Sequence, residues 1–264
     1  MLSSATTLQR VCCLKGKFHS KKIGTMENDW LDRMTLLIGE EQTQKLQKAN
    51  ILIVGLGGVG SFAAEFLARA GIGRLTVVDG DEVDESNKNR QIIALDSTIG
   101  QAKAQLVKSR LEDINSEIEV EAINQFLEPE MMLDLVGKGF DYVLDCIDSI
   151  EPKFRLILAC KRHNTRFISA MGAGGKMDAS RVQVMSIWET ENDGIAYQLR
   201  KRLKKQNAQR KFPVVCSPEP VNEKALQYTD GTNYKKTFYG TISYMPAIFG
   251  LYMAEFVIRK VITK

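Results

Sequence analysis

The stretch Ile51–Lys103 opens with ILIVGLGGVGS (residues 51–61), runs through VVDGDEVDESNKNRQ (77–91) and closes on GQAK (100–103). The apolar run Ile51–Val54 predicts a strand. Gly55, Gly57, Gly58 and Gly60 after it predict a tight strand-to-helix turn whose backbone can approach a phosphate closely. The N–H groups that open the following helix then point at the anion. A second apolar run, Leu75–Val78, ends on Asp79, nineteen residues past Gly60. That is near the spacing at which a carboxylate meets a ribose hydroxyl. Taken alone, this predicts a nucleotide.

Working outward, the chain alternates strand and helix from residue 49. A helix with Phe62, Phe66, Leu67 and Ala70 at helical spacing follows the glycine turn and stops at Gly71. A helix over about 101–114 carries Val107, Leu111 and Ile114 on one face. Strand Glu119–Ala122, helix Pro129–Val136, strand Tyr142–Asp145, a helix begun by Pro152 and strand Arg166–Ala170 come next. Near-continuous apolar strands separated by helices imply an α/β fold with a mostly parallel sheet and helices on both faces. Right-handed crossovers put the carboxyl ends of the strands on one edge, where Gly60, Asp79 and Asp148 converge.

Helix is also expected before the first strand, over 29–48, broken at Gly39. Past MGAGG (171–175) the pattern loosens. Val182, Val184 and Ser186 alternate as in a strand, residues 197–211 are strongly basic, and the tail from Ser243 is a helix with Pro246 in its first turn. Glu255 and Arg259 interrupt that tail, so it reads as a packed helix and not a membrane span.

At 264 residues, 44% hydrophobic and 26% charged, the chain can bury a substantial core. Its net charge of +4 is concentrated: residues 1–26 hold five basic side chains and no acid, leaving 31 basic against 32 acidic in the rest. A polyanion must therefore meet a local patch and not a global field. Residues 1–26 read as a disordered or non-native extension, with an organelle transit peptide as the alternative. The five cysteines include no C-x-x-C pair and there are two histidines, which argues against a structural zinc site and a disulfide framework.

The residues on the predicted edge suit activation of a carboxylic acid. Such an acid is unreactive toward a weak nucleophile until joined to AMP from ATP, with expulsion of pyrophosphate. The task needs a nucleotide cradle and cations at the triphosphate. The glycine turn supplies the cradle, Asp79 the ribose acceptor, and Arg90 and Lys103 the cations. Asp145 and Asp148, in DCIDS (145–149), offer carboxylates for Mg2+. The glycine pattern by itself most often marks an NAD or FAD site, but hydride transfer needs no cations clustered at the phosphates. Asp145 has a second reading, as a group that satisfies backbone donors. Lys103 has one as a solvated first-turn lysine.

GLGGVGS, VVDGDEVDESNKNRQ, GQAK and DCIDS together resemble the ThiF/MoeB/HesA superfamily of ATP-dependent adenylating enzymes, which has a Rossmann-like, ubiquitin-activating-type fold, over about residues 29–262. Within it, LLIGEE (36–41), ARAGIG (68–73), DSIEPK (148–153), SAMGAGGKMD (169–178) and YGTISYMPAIFG (239–250) look like the tRNA threonylcarbamoyladenosine dehydratase branch. The resemblance implies one adenylating domain over 27–264, with a basic crossover segment at about 197–212. It implies an enzyme that adenylates the threonyl carboxylate of the modified adenosine beside the tRNA anticodon, after which the carbamoyl nitrogen displaces AMP. It implies ATP and Mg2+, with Gly55, Gly57, Gly58, Gly60, Asp79, Asn87, Arg90, Gln91, Lys103 and Asp148 at the ATP site and Asp148 as metal ligand. Arg33 matches an N-terminal arginine that reaches the partner subunit's phosphates, although Trp30 stands where a further arginine is expected.

The implied partners are the modified tRNA, a second copy in a homodimer and a sulfur-acceptor or desulfurase-type accessory protein. The implied location is cytoplasmic, or mitochondrial if residues 1–26 are a transit peptide. The run LRKRLKKQNAQRK (199–211), with Arg200, Lys201, Arg202, Lys204 and Lys205, would face the tRNA; its plainer reading is a solvated helix face. Cys216, near where ubiquitin-type enzymes carry a thioester cysteine, reads foremost as a small buried hydrophobe. Activation of a small sulfur-carrier protein is the alternative function, set back by the missing zinc cysteines. An NAD oxidoreductase and a non-catalytic nucleotide-binding module are the others.

Overall fold

A computed structural model describes residues 30–228 and 237–263, so the reading of residues 1–26 lies outside the described residues. Two short helices, α1 (Asp32–Ile38) and α2 (Glu40–Lys48), precede the first strand and break at Gly39, as the sequence predicts. The alternating region then forms β1 (Asn50–Val54), α3 (Gly60–Arg69), β2 (Arg74–Val78), α4 (Lys103–Ile114), β3 (Glu119–Ile123), α5 (Pro129–Gly137), β4 (Tyr142–Asp145), α6 (Ile150–Arg162) and β5 (Phe167–Ala170). The rest comprises β6 (Gln183–Ser186), α7 (Gly194–Lys205), β7 (Pro213–Cys216), a hairpin of β8 (Leu226–Tyr228) with β9 (Thr237–Tyr239), and α8 (Tyr244–Ile262). Among the described residues no helix is long and apolar enough to cross a membrane.

The main sheet has the order β3-β2-β1-β4-β5-β7-β6, parallel except for β6, which runs antiparallel to β7. The chain winds outward from β1 to β3, then returns to place β4 on the other flank of β1. That reversal is a topological switch point, and an open α/β sheet takes its ligand above the carboxyl ends of the strands that flank it, here β1 and β4. Successive strand residues alternate between two cores. Ile51, Ile53, Leu75, Val77 and Leu144 pack under α3, α4 and α8, while Leu52, Val54, Val78 and Val143 pack under α5, α6 and α7.

Several elements depart from expectation, the β8–β9 hairpin among them. The buried face of α3 is Ala63, Ala64, Leu67 and Ala68, with Phe66 turned outward at 36% exposure. Small residues are required because α8 crosses α3 closely: a Cβ on Gly250 would sit 2.4 Å from the Val59 carbonyl oxygen. Helix α6 begins at Ile150, with Pro152 inside its first turn, where the missing N–H costs no helical bond. Strand β7, whose VVC run is short, inserts between β5 and β6 without having been anticipated.

Candidate active site

The glycine turn is built by close approach. A Cβ on Gly60 would fall 1.8 Å from the Gly55 carbonyl oxygen, and one on Gly58 would meet Pro246 of α8 at 2.9 Å. Packing therefore explains both of these glycines. Gly57 is different: the nearest atom to its would-be Cβ is Gln91 Nε2, at 3.7 Å. The fold leaves room there that a side chain would fill. Beside it, the Gln91 side chain is buried and its Oε1 has no hydrogen-bond partner among the described residues. A bare backbone next to an orphaned buried acceptor is what a polar ligand would complete.

Asp79 closes the turn from the end of β2. Its Oδ2 accepts from the Leu56 N–H at 2.6 Å and its Oδ1 from the Asp81 N–H at 2.8 Å. Burial pushes its carboxyl up, against the pull of the Lys103 charge and these two N–H groups. The carboxylate thus shapes the glycine turn, and each oxygen keeps a second lone pair for a hydroxyl donor.

Lys103, the first residue of α4, is buried, and its Nζ reaches Asp81 Oδ2 at 3.1 Å. This rules out the solvated first-turn lysine. A cation there works against the helix dipole, so its position favours a compensating anion. Arg90 is half-buried and donates through one guanidinium nitrogen to the Ser86 carbonyl and to Asn89 Oδ1, both at 2.8 Å. Asn89 in turn donates to the Thr241 carbonyl at 2.9 Å, tying the arginine to the segment that leads into α8. Asn87 is buried, and its Oδ1 accepts from the Asp84 N–H at 3.3 Å in a reciprocal cap, so it shapes the turn that carries Arg90.

The two DCIDS carboxylates separate. Asp148 is exposed on the loop after β4. Asp145, expected to help hold a metal, is fully buried. Its Oδ2 meets Lys153 Nζ at 2.9 Å and Ser169 Oγ at 2.6 Å, and its Oδ1 accepts from the Ile147 N–H at 3.2 Å. Burial pushes this carboxyl up and the Lys153 charge opposes that shift. With its oxygens so occupied, Asp145 serves the loop and not an external cation. Lys153 was missed in the sequence; its one signal is a lysine set among apolar residues in the first turn of α6. A second buried lysine, Lys176 in the GAGGKMD segment, donates to the Ser217 carbonyl at 2.5 Å and lies 3.7 Å from Asp193.

Farther out, Arg33 is exposed on α1, a helix with no buried residue of its own. In α7, Arg200 turns inward to the Ile187 carbonyl and to Thr190, and Arg202 pairs with Glu151 and lies 5.8 Å from the Phe154 ring centre. Arg200 is thus engaged inside the fold, while Arg202, 37% exposed, is held by its ion pair; the expectation that all five basic residues face a partner is corrected for Arg200. Lys201, Lys204 and Lys205 stay exposed, with Lys204 5.9 Å from the Trp188 ring centre. The Cys216 thiol is buried, and burial pushes it up to about 12, so it is protonated at neutral pH.

The ThiF family model matches residues 31–264. The chain belongs to the ThiF family. Its relatives include a Bacillus subtilis tRNA threonylcarbamoyladenosine dehydratase, 43% identical over 71% of this chain and 74% of the relative. The Escherichia coli protein of the same name is 40% identical over 74% of this chain and 75% of the relative. The crystal structure of the E. coli dehydratase in complex with ATP superposes with a TM-score of 0.79 at 35% identity, covering 88% of this chain and 93% of that one. A complex of that protein with AMP gives 0.78. Within the ThiF family this chain groups with these dehydratases, and its 36% match to a Haemophilus influenzae molybdopterin-synthase adenylyltransferase spans a smaller 62% of the chain.

Proposed function

We infer that this protein dehydrates threonylcarbamoyladenosine in tRNA at the expense of ATP. The observation that carries the ATP site is the open cradle at Gly57 beside the orphaned Gln91 acceptor, flanked by Arg90 and Lys103. In the first step an oxygen of the threonyl carboxylate attacks the α-phosphorus of ATP and pyrophosphate departs, leaving an acyl adenylate. In the second, the carbamoyl nitrogen attacks the acyl carbon, loses its proton and expels AMP. The sum is loss of water from the nucleoside and cleavage of ATP to AMP and pyrophosphate.

The roles follow from position. Asp79 takes the ribose through its remaining lone pairs, and the Gly57 backbone admits the phosphates. Lys103 exchanges Asp81 for a phosphate oxygen, and Arg90 meets the charge that builds on pyrophosphate. Asn87 holds this wall in register, and the unpartnered Gln91 Oε1 accepts from a donor group of the nucleotide. Among the described residues no three His, Cys, Asp or Glu side chains gather as a metal cage. A single exposed carboxylate, Asp148, fits magnesium carried on phosphates, which supply most of its ligands. Bound there, the metal would neutralise triphosphate charge. Ring closure joins groups of one nucleoside, so positioning supplies much of the rate and no side-chain nucleophile is needed. The protonated Cys216 agrees with that economy.

Two surfaces extend the reading. Lys201, Lys204 and Lys205 meet the tRNA backbone. Helix α1, with Leu36 73% and Leu37 84% exposed, docks on a second copy of the chain and carries Arg33 to that copy's phosphates. The test of the whole is to supply tRNA bearing the modified adenosine with ATP, then follow pyrophosphate release and the cyclised nucleoside by mass spectrometry. Both products are expected in equal amounts. Release of pyrophosphate that depends on a small sulfur-carrier protein and not on tRNA would replace this reading with carrier activation.

A further inference from the structure

The buried Lys153–Asp145 pair has no part in the chemistry above. A pair of this kind can often be exchanged for apolar residues without loss of stability. Its place in the chain is what distinguishes it. Asp145 lies three residues before Asp148, at the end of β4, and Lys153 lies five after it, in the first turn of α6. The 2.9 Å contact between them closes the intervening loop like a clasp.

Further bonds tighten the clasp. Lys153 Nζ also reaches Ser169 Oγ at 3.1 Å, which anchors it to β5, and the Asp145 backbone carbonyl at 3.4 Å. The other oxygen of Asp145 holds the Ile147 N–H, one residue from Asp148. Below, the loop is pressed on the glycine turn: the Cys146 N–H donates to the Val54 carbonyl at 2.9 Å, and a Cβ on Gly55 would meet the Cys146 carbonyl at 2.9 Å.

We propose that Lys153 and Asp145 are positioning residues that clasp the 146–149 loop against the glycine turn and so set where the Asp148 carboxylate meets the magnesium–triphosphate. This inference rests on the role given to Asp148 above. The clasp never touches substrate; it fixes the loop at both ends with groups that solvent cannot compete for. Removing Lys153 alone would leave a buried carboxylate unpaired, so a structural loss would mask the positional one. The neutral double variant Asp145→Asn/Lys153→Met avoids this. Asparagine keeps an acceptor for the Ile147 N–H and a partner for Ser169, while the tie to α6 is cut.

The test uses the full-length chain and measures ATP affinity by calorimetry with and without magnesium, beside thermal unfolding. In the wild type magnesium is expected to tighten ATP binding about tenfold. Asp148→Ala should abolish that gain. The double variant should abolish it too, while keeping wild-type affinity for metal-free ATP and unfolding within a few degrees of the wild type. Retention of the magnesium gain in the double variant would overturn the proposal. Loss of metal-free ATP affinity, or failure of the double variant to fold, would also overturn it, because the pair would then be a structural element only. If Asp148→Ala itself keeps the gain, the assignment of Asp148 fails first and the clasp has nothing to position.

Discussion

At the scale of single residues, the glycine turn separates what the fold needs from what a ligand needs. Gly60→Ala places a methyl 1.8 Å from a carbonyl oxygen and should prevent a stable fold. Gly57→Ala meets only the tip of Gln91 and should fold normally, with a raised KM for ATP. Unfolding curves and ATP kinetics on the two variants check this pair of expectations. Lys103→Met should slow pyrophosphate release roughly tenfold to a hundredfold, the worth of about 1.5–3 kcal/mol for a charge-assisted bond, while Tm stays near the wild type. Much of this was legible: the spacing of Gly55–Gly60, Asp79, Arg90 and Lys103 announced a nucleotide with a cationic wall. The division of labour between Asp145 and Asp148 was legible only in part: the reading of Asp145 as a group that satisfies backbone donors was open, but its pairing with Lys153 was not visible. Both are aspartates near one strand end, and only the three-dimensional course of α6, which brings Lys153 back over β4, shows which is consumed inside.

At the scale of elements, α3 and α4 are joined by a buried carboxylate. Glu65 accepts from Arg69 at 2.8 Å and from Arg110 at 2.5 Å. Burial pushes its carboxyl up, but the bonds and charge of Arg110 and Arg69 outweigh that and hold it below its ordinary 4.5. A lowered folded-state value gives stability that is present above the unfolded value and lost as pH falls through the folded one. Glu65→Gln should therefore be less stable at neutral pH, and the gap to wild type should close below about pH 4.5 in acid unfolding.

Helix α7 divides in the same physical way. Lys204→Glu with Lys205→Glu should weaken tRNA binding and flatten its salt dependence, leaving Tm unchanged. Arg200→Ala should lower Tm and leave the salt slope alone. From sequence, the strand–helix alternation was readable because buried parallel strands are apolar throughout. The seat of α3 was not, because periodicity weights Phe62 and Phe66 above the alanines that a close α8 crossing requires. The inward turn of Arg200 was hidden for a related reason, since charge alone does not show which face of α7 is already occupied.

At the scale of the whole molecule, the order β3-β2-β1-β4-β5-β7-β6 puts the reversal of winding beneath the glycine turn, and every proposed nucleotide contact except Arg33 comes from that one edge. If Arg33 serves a second copy, Arg33→Ala and Asp148→Ala proteins, each inactive alone, should regain activity when mixed, because one site of a mixed pair is complete. Recovery should follow subunit exchange in sedimentation measurements; no recovery in mixed dimers would keep Arg33 within its own chain.

The central claim is that the substrate carboxylate is joined to AMP before the ring closes. It is tested most directly with tRNA whose threonyl carboxylate carries heavy oxygen, analysed by mass spectrometry of the small products after turnover. The account predicts AMP bearing a single heavy oxygen, with unlabelled pyrophosphate. Heavy oxygen in inorganic phosphate, released together with ADP, would contradict it, because the acid would then have been activated by phosphorylation.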